Sequence, residues 1–164
     1  QAGMLAAILQ IINHALTKPM LFLSAVQLSD ASGRHMDFPR LRGAGHRNPA
    51  AGILFTAGAL SMVGVPLFAG FIPKLYFARE AFALGWQQWP VLLALAASTV
   101  LNVLYFLYTA VLIWLPQGAD CPYRRVKLCP DEELPAFALL AGNLAMGLFS
   151  GGLVTLVGLL LCVL

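Results

Sequence analysis

Long apolar runs separated by two charged loops dominate the chain. The runs cover residues 1–28, 49–85, 88–115 and 134–162. About 20 apolar residues suffice for a helix to cross a bilayer, so three of these runs have the length of a single span. We therefore predict an all-α, polytopic membrane protein with about four transmembrane helices, in which residues 1–164 form one transmembrane domain.

The run 49–85 is too long for one straight span, because a continuous helix of that length would extend roughly 55 Å. Its sequence contains helix-breaking residues near its middle. We predict that the second span is discontinuous near 64–73, with the break formed by Gly64, Pro66, Gly70 and Pro73. Two short membrane-crossing helices are the alternative.

The distribution of charge favours the single, interrupted crossing. The chain has ten basic and seven acidic residues. Counting both signs, six charged residues lie in the loop 29–48 and seven in the loop 116–133. Loops rich in Lys and Arg face the cytoplasm. Both loops are cytoplasmic if 49–85 crosses once, whereas two crossings would place them on opposite sides of the membrane.

Composition excludes several functional classes. The chain is 60% hydrophobic and 10% charged, whereas a soluble domain has about 25% charged residues. This composition excludes an ordinary soluble enzyme and a nucleic-acid partner. The chain lacks a haem, iron–sulfur or nucleotide motif, and Cys121 and Cys129 are too few for a metal site. We expect neither a cofactor nor a bound metal.

Charged residues inside a membrane span are functional candidates, because burying them costs several kcal/mol. In the first span Gln10, His14 and Lys18 are spaced at i, i+4 and i+8, so they share one helix face, with Asn13 and Thr17 beside them. Histidine titrates near neutral pH, and this stripe could relay a proton. The alternative is that Lys18 extends to the cytoplasmic surface.

The second candidate is Lys74, which directly follows Pro73 at the predicted break. Interrupted helices in membranes line cavities and recur at the ion sites of transporters. The alternative is a structural kink from which the lysine reaches outward. Further along the same run, Arg79 and Glu80 are interpreted as structural residues that pair with each other or with a neighbour, and Glu80 is kept as an auxiliary candidate.

The last two spans contain fewer polar residues. In the third span Asn102 could line the same cavity, but an interhelical hydrogen bond is the favoured interpretation. In the fourth span Gly147 and Gly151 form a small-xxx-small pair typical of close helix packing. Asn143 is interpreted as a packing residue as well.

Two segments resemble a known family. Residues 13–23 (NHALTKPMLFL) and 64–74 (GVPLFAGFIPK) resemble motifs of the antiporter-like proton-pumping subunits of respiratory complex I, Mrp-type cation/proton antiporters and membrane-bound hydrogenases of the formate-hydrogenlyase type. The resemblance implies that His14 and Lys18 belong to a central hydrophilic axis and that Lys74 is the lysine of the discontinuous helix. It also implies a chain without redox chemistry of its own, within a NADH:quinone oxidoreductase or hydrogenase-type complex.

Departures from the family pattern leave alternatives open. Gln10 stands where the family often has a second histidine, and Pro19 and Pro73 replace smaller residues. The family's first repeat is absent, so the chain is expected to be the C-terminal part of a longer protein. The expected partners are the bilayer, other membrane subunits and the first-repeat half if it is encoded separately, in a bacterial or archaeal cell membrane or an organelle inner membrane. A non-transporting scaffold or split accessory subunit is the alternative, and the pattern does not separate H⁺ from Na⁺ transport.

Overall fold

The computed structural model describes residues 2–34, 37–116 and 130–163, and these residues form an all-helical structure without a strand. This confirms the predicted all-α membrane fold. Two helices are long and apolar enough to cross a membrane by themselves, over Gly3–Ala31 and Trp89–Trp114. The bent pair Glu133–Leu148 and Ser150–Leu161 provides a third if it counts as one span. The exact boundaries of the four spans remain a prediction.

Nine α-helices follow one another along the described parts of the chain. Their bounds are α1 Ala2–Ala31, α2 Phe38–Leu41, α3 Ala44–Arg47, α4 Pro49–Val63, α5 Phe71–Ala83, α6 Trp89–Asn102, α7 Tyr108–Trp114, α8 Pro130–Leu148 and α9 Ser150–Val163. A 3₁₀ turn precedes α6, and a π-helical segment over Val103–Leu107 joins α6 to α7 in one continuous apolar helix.

Helix α1 is the centre of the structure and packs against α4, α5 and α8. Pro19 lies inside it. Three apolar clusters surround α1. One cluster joins it to α4 and α7 through residues such as Leu28 and Phe55, one joins it to the break and α9, and one joins it to α8 through Met20, Leu54 and Ala136. Of the polar positions on α1, Asn13 and Thr17 are therefore enclosed by the neighbouring helices.

Trp114 packs the end of the third span against the start of the second span. A Cβ atom on Gly45 or Gly52 would lie 3.1 or 2.9 Å from the indole ring, so the ring occupies a groove that only glycine leaves open. The indole nitrogen donates to Thr56 Oγ1 at 3.0 Å, and His46 Nε2 lies 2.9 Å from the Trp114 carbonyl oxygen. Within the predicted loop 29–48, Phe38–Leu41 form α2 and Ala44–Arg47 form α3.

Helices α8 and α9 meet at an angle of 81°, with Phe149 between them. At the end of α8, a Cβ atom on Gly147 would collide with the carbonyl oxygen of Leu67, so α8 lies directly against the backbone of the break. A Cβ atom on Gly151 would meet nothing within 4 Å. Of the predicted glycine pair, only Gly147 therefore makes a close packing contact in the part of the chain described.

Some sequence predictions lie outside the described residues. They concern residues 117–129, which include most of the predicted cytoplasmic loop 116–133 together with Cys121 and Cys129. The remaining residues outside the description are Gln1, residues 35–36 and Leu164.

Candidate functional site

The second apolar run is interrupted between Val63, the last residue of α4, and Phe71, the first residue of α5. Gly64 adopts a φ of +88°, which glycine reaches without a steric penalty. Its N–H bonds to the Ser61 carbonyl oxygen at 3.1 Å, and Val65 N–H bonds to Leu60 O at 3.0 Å. This is the Schellman ending of a helix, and it leaves the last carbonyls of α4 without backbone partners.

The side chain of Lys74 supplies the missing partners. From the first turn of α5 it reaches back across the break, and its Nζ donates to Met62 O at 3.0 Å and to Val63 O at 2.7 Å. The C-terminal end of a helix carries roughly half a negative charge, which favours a cation there. The break therefore creates a binding site for an ammonium group, and Lys74 occupies it.

Two residues of the third span complete this site. Thr99 Oγ1 accepts a bond from Lys74 Nζ at 3.3 Å and donates its own hydrogen to Leu95 O at 2.9 Å. Asn102 Nδ2 donates to Met62 O at 3.2 Å, so it joins the third span to the end of α4. Asn102 directly precedes the π-helical segment, a distortion that often occurs at functional positions.

His14 lies one helical turn before Lys18 on the same face of α1. It is close enough to both Lys18 and Lys74 for the charge of each to act on it. Its Nε2 lies 3.1 Å from Gln10 Nε2. His14 Nδ1 and Gln10 Oε1 are both enclosed and have no hydrogen-bond partner among the described residues. Buried polar atoms of this kind have the capacity to bind water.

Lys18 lies one helical turn beyond His14 on the exposed side of α1. It forms neither a hydrogen bond nor an ion pair with any residue that the structure describes. Asn13 and Thr17 lie on an adjacent face of α1 and are buried. The polar stripe of α1 is therefore split into two faces, of which one carries the titratable groups and the other carries neutral ones.

The neutral face belongs to a buried polar cluster that the sequence did not reveal. Its members are Asn13 and Thr17 of α1, Ser61 of α4 and Asn143 of α8, each no more than 1% exposed. Thr17 Oγ1 donates to Asn13 Oδ1 at 3.0 Å. Asn143 Nδ2 donates to Thr17 Oγ1 at 2.8 Å and to Ser61 Oγ at 3.0 Å.

The other predicted residues lie along the break and beyond it. Gly70 touches Ser61 so closely that a Cβ atom on it would collide with the Ser61 carbonyl oxygen. Pro66 lies in the break, and Pro73 is buried in the first turn of α5. Arg79 and Glu80 form no ion pair with each other or with another described residue, so the structure does not connect Glu80 to the lysines.

Within the described ranges, the structure has no group of three or more His, Cys, Asp or Glu side chains arranged to hold a metal. The site instead combines an ammonium group at a helix end with the imidazole of His14 on the neighbouring helix α1. Imidazole and ammonium groups are titratable, and ionisable groups inside a membrane span are candidates for function.

Comparisons with known proteins give consistent results. Residues 1–102 match the transmembrane family described as NADH:quinone oxidoreductase/Mrp antiporter. The chain is 29% identical over 151 residues to NADH-quinone oxidoreductase subunit N 1 of Solibacter usitatus, an alignment that covers 92% of this chain and 31% of that protein. It is 31% identical over 158 residues to NADH-quinone oxidoreductase subunit N of Desulforudis audaxviator, covering 88% and 30%.

A third relative has a different function by name. The chain is 40% identical over 76 residues to a probable component of a K(+)/H(+) antiporter from Rhizobium meliloti, covering 46% of this chain and 8% of that protein. The chain therefore spans about a third or less of the length of the curated relatives it matches. The matched residues 1–102 include α1, the break, Lys74 and Asn102.

Proposed function

Because the chain belongs to the NADH:quinone oxidoreductase/Mrp antiporter transmembrane family, we propose that it forms part of a membrane subunit that translocates protons within a larger complex. Lys18, His14 and Lys74 carry the proton in that order toward the outer side. The electron-transfer chemistry belongs to other subunits of the complex, and these membrane subunits are the partners of the chain.

The observation that carries this proposal is the position of Lys74. Its ammonium is bound to the exposed carbonyls of an interrupted helix, within electrostatic range of His14. Like charges repel strongly in a low-dielectric interior, so a proton on one group disfavours a proton on the next. A change of charge elsewhere in the complex can then shift a proton from one of these titratable groups to the next.

The unpartnered atoms of His14 and Gln10 support a water-assisted path. Direct transfer between side chains requires atoms within about 3 Å or one bridging water. An enclosed imidazole nitrogen without a protein partner has the capacity to bind such a water. The non-transporting scaffold remains the alternative function, and it requires none of these titratable groups.

The test uses the full-length protein with its partner subunits in inverted membrane vesicles. Translocation is followed with a pH-sensitive dye after the complex is energised. Lys74→Ala is expected to abolish translocation while the complex still assembles. The matched control is Thr155→Val, which removes only a hydroxyl bonded to its own helix at Gly151 O.

The two functions give opposite results for Lys74→Ala. An assembled variant that translocates protons at the wild-type rate would rule out the proposal and favour the scaffold. An assembled variant without translocation, together with a fully active Thr155→Val, supports it.

A further inference from the structure

One asparagine side chain holds both sides of the helix break. Asn143 Nδ2 donates to Ser61 Oγ at 3.0 Å, two residues before the end of α4. Its Oδ1 accepts the backbone N–H of Ala69 at 3.2 Å, two residues before the start of α5. The carboxamide of Asn143 therefore bonds to both sides of the break. The side chain of Lys74 also bridges the break, from α5 to the last carbonyls of α4.

A second contact fixes the same face of α8 against the break. Gly147 lies one helical turn after Asn143, so the two residues share a face. The backbone of Gly147 touches the carbonyl group of Leu67, leaving no room for a Cβ atom. Leu67 itself has a φ of +92°, a conformation that costs free energy in a residue other than glycine. The fourth span thus contacts the break at a second point.

The position of the break in turn determines the position of Lys74. Lys74 is anchored in α5, whereas the carbonyl oxygens that bind its ammonium belong to Met62 and Val63 of α4. Any displacement of α5 relative to α4 changes those distances directly. Asn143 also bonds to Thr17 of α1, three residues from His14, so it connects the lysine's surroundings to the titratable helix.

We infer, on the premise that Lys74 carries protons as proposed above, that Asn143 is a positioning residue that sets Lys74 at the end of α4 and in register with α1. It acts through geometry and does not relay protons itself, because a carboxamide neither gains nor loses a proton near neutral pH. The fourth span is thereby part of the translocation machinery through its contact with the break.

The test compares three variants of the full-length protein in its complex. Asn143→Leu keeps the approximate volume and removes every hydrogen bond. Asn143→Asp retains an acceptor for the Ala69 amide and, in its protonated form, one donor. Thr155→Val is again the matched control on the following helix. Hydrogen exchange of residues 64–71 measures the break directly, and dye-monitored translocation per assembled complex measures function over a range of pH.

For Asn143→Leu we expect exchange at Ala69 roughly fivefold faster, as for the loss of one hydrogen bond. We expect translocation about 10- to 100-fold slower, since a displacement of about 1 Å at a reacting group has effects of that size. The pH dependence of the translocation rate of Asn143→Leu should be shifted relative to the wild type as well. A purely structural defect would lower the amount of complex and leave that profile unchanged. Asn143→Asp should recover part of the rate, and Thr155→Val should match the wild type.

Two results separate this inference from its premise. If Lys74→Ala has lost translocation but Asn143→Leu retains the wild-type rate or wild-type exchange, the positioning role is wrong and the proposed function stands. If Lys74→Ala retains translocation, both are wrong. Should Asn143→Leu fail to assemble, Ser61→Ala removes one partner of Asn143 with a smaller change, and wild-type exchange and rate in that variant would overturn the inference.

Discussion

The ammonium nitrogen of Lys74 lies 2.7 Å from the carbonyl oxygen of Val63, so a residue of α5 completes the end of α4. The contact explains how a lysine is tolerated in an apolar span. The helix end provides a fixed negative partner that hydrocarbon cannot provide. The contact also explains why residue 64 is a glycine, because a Cβ atom there would lie 2.9 Å from Lys74 Cδ.

Gly64→Ala should disturb this contact. The added Cβ atom would lie 2.9 Å from Lys74 Cδ, and the φ of +88° is unfavourable for alanine. We expect a destabilisation of about 1–3 kcal/mol and a clear loss of translocation, measured as the melting temperature of the purified complex and the dye response. Gly151→Ala is the matched control, because its Cβ atom would meet nothing within 4 Å. Equal behaviour of the two variants would contradict the prediction.

Lys18→Arg should impair translocation even though the positive charge is kept, since an arginine does not release its proton at physiological pH. Assembly should be unaffected, because Lys18 has no partner among the described residues. The dye assay compares this variant with Lys18→Gln. If Lys18→Arg translocates normally while Lys18→Gln does not, Lys18 is a fixed countercharge and takes no part in the relay.

Trp114→Phe should lower stability without changing the translocation rate per assembled complex. The variant loses the indole hydrogen bond to Thr56, which corresponds to about 0.5–1.5 kcal/mol, but it keeps most of the ring in the groove formed by Gly45 and Gly52. Thermal unfolding of the purified complex measures the loss. A reduced rate in fully assembled protein would show that this contact also acts on the ion path.

Translocation should be independent of Na⁺ and K⁺. The titratable groups assigned to the path are His14, Lys18 and Lys74, and a positively charged ammonium repels a metal cation in a medium of low dielectric constant. The rate of acidification is compared in vesicles that contain Na⁺, K⁺ or only an organic cation. A rate that rises with one metal cation would instead assign cation/proton exchange to the complex.

The sequence predicted the features that depend on residues close together in the chain. Gly64 and Pro73 indicated the interruption of the second apolar run, and the spacing of Gln10, His14 and Lys18 indicated their shared face. The role of Lys74 as the partner of the α4 carbonyls was not predicted. It depends on the path that the chain takes between Gly64 and Phe71.

The buried cluster around Asn143 was not accessible to sequence analysis. Asn143 was interpreted as a packing residue, and its bond to Thr17 joins positions 126 residues apart. The bend of 81° between α8 and α9 was not predicted either, although Ser150, Gly151 and Gly152 follow Phe149 and such residues often accompany a kink. Contacts of this kind follow from tertiary packing, and local periodicity contains no signal for them.

The length of α4 has a consequence for the electrical work of transport. Its 15 residues rise about 22 Å, whereas the hydrocarbon core is about 30 Å thick. Measured from the predicted cytoplasmic end at Pro49, the ammonium of Lys74 lies about three quarters of the way across. Moving one elementary charge across the whole membrane corresponds to about 2.3 kcal/mol per 100 mV. Moving a proton from Lys74 to the outer surface therefore requires about 0.6 kcal/mol per 100 mV. On the path proposed above, most of the voltage is therefore crossed before the proton reaches the break.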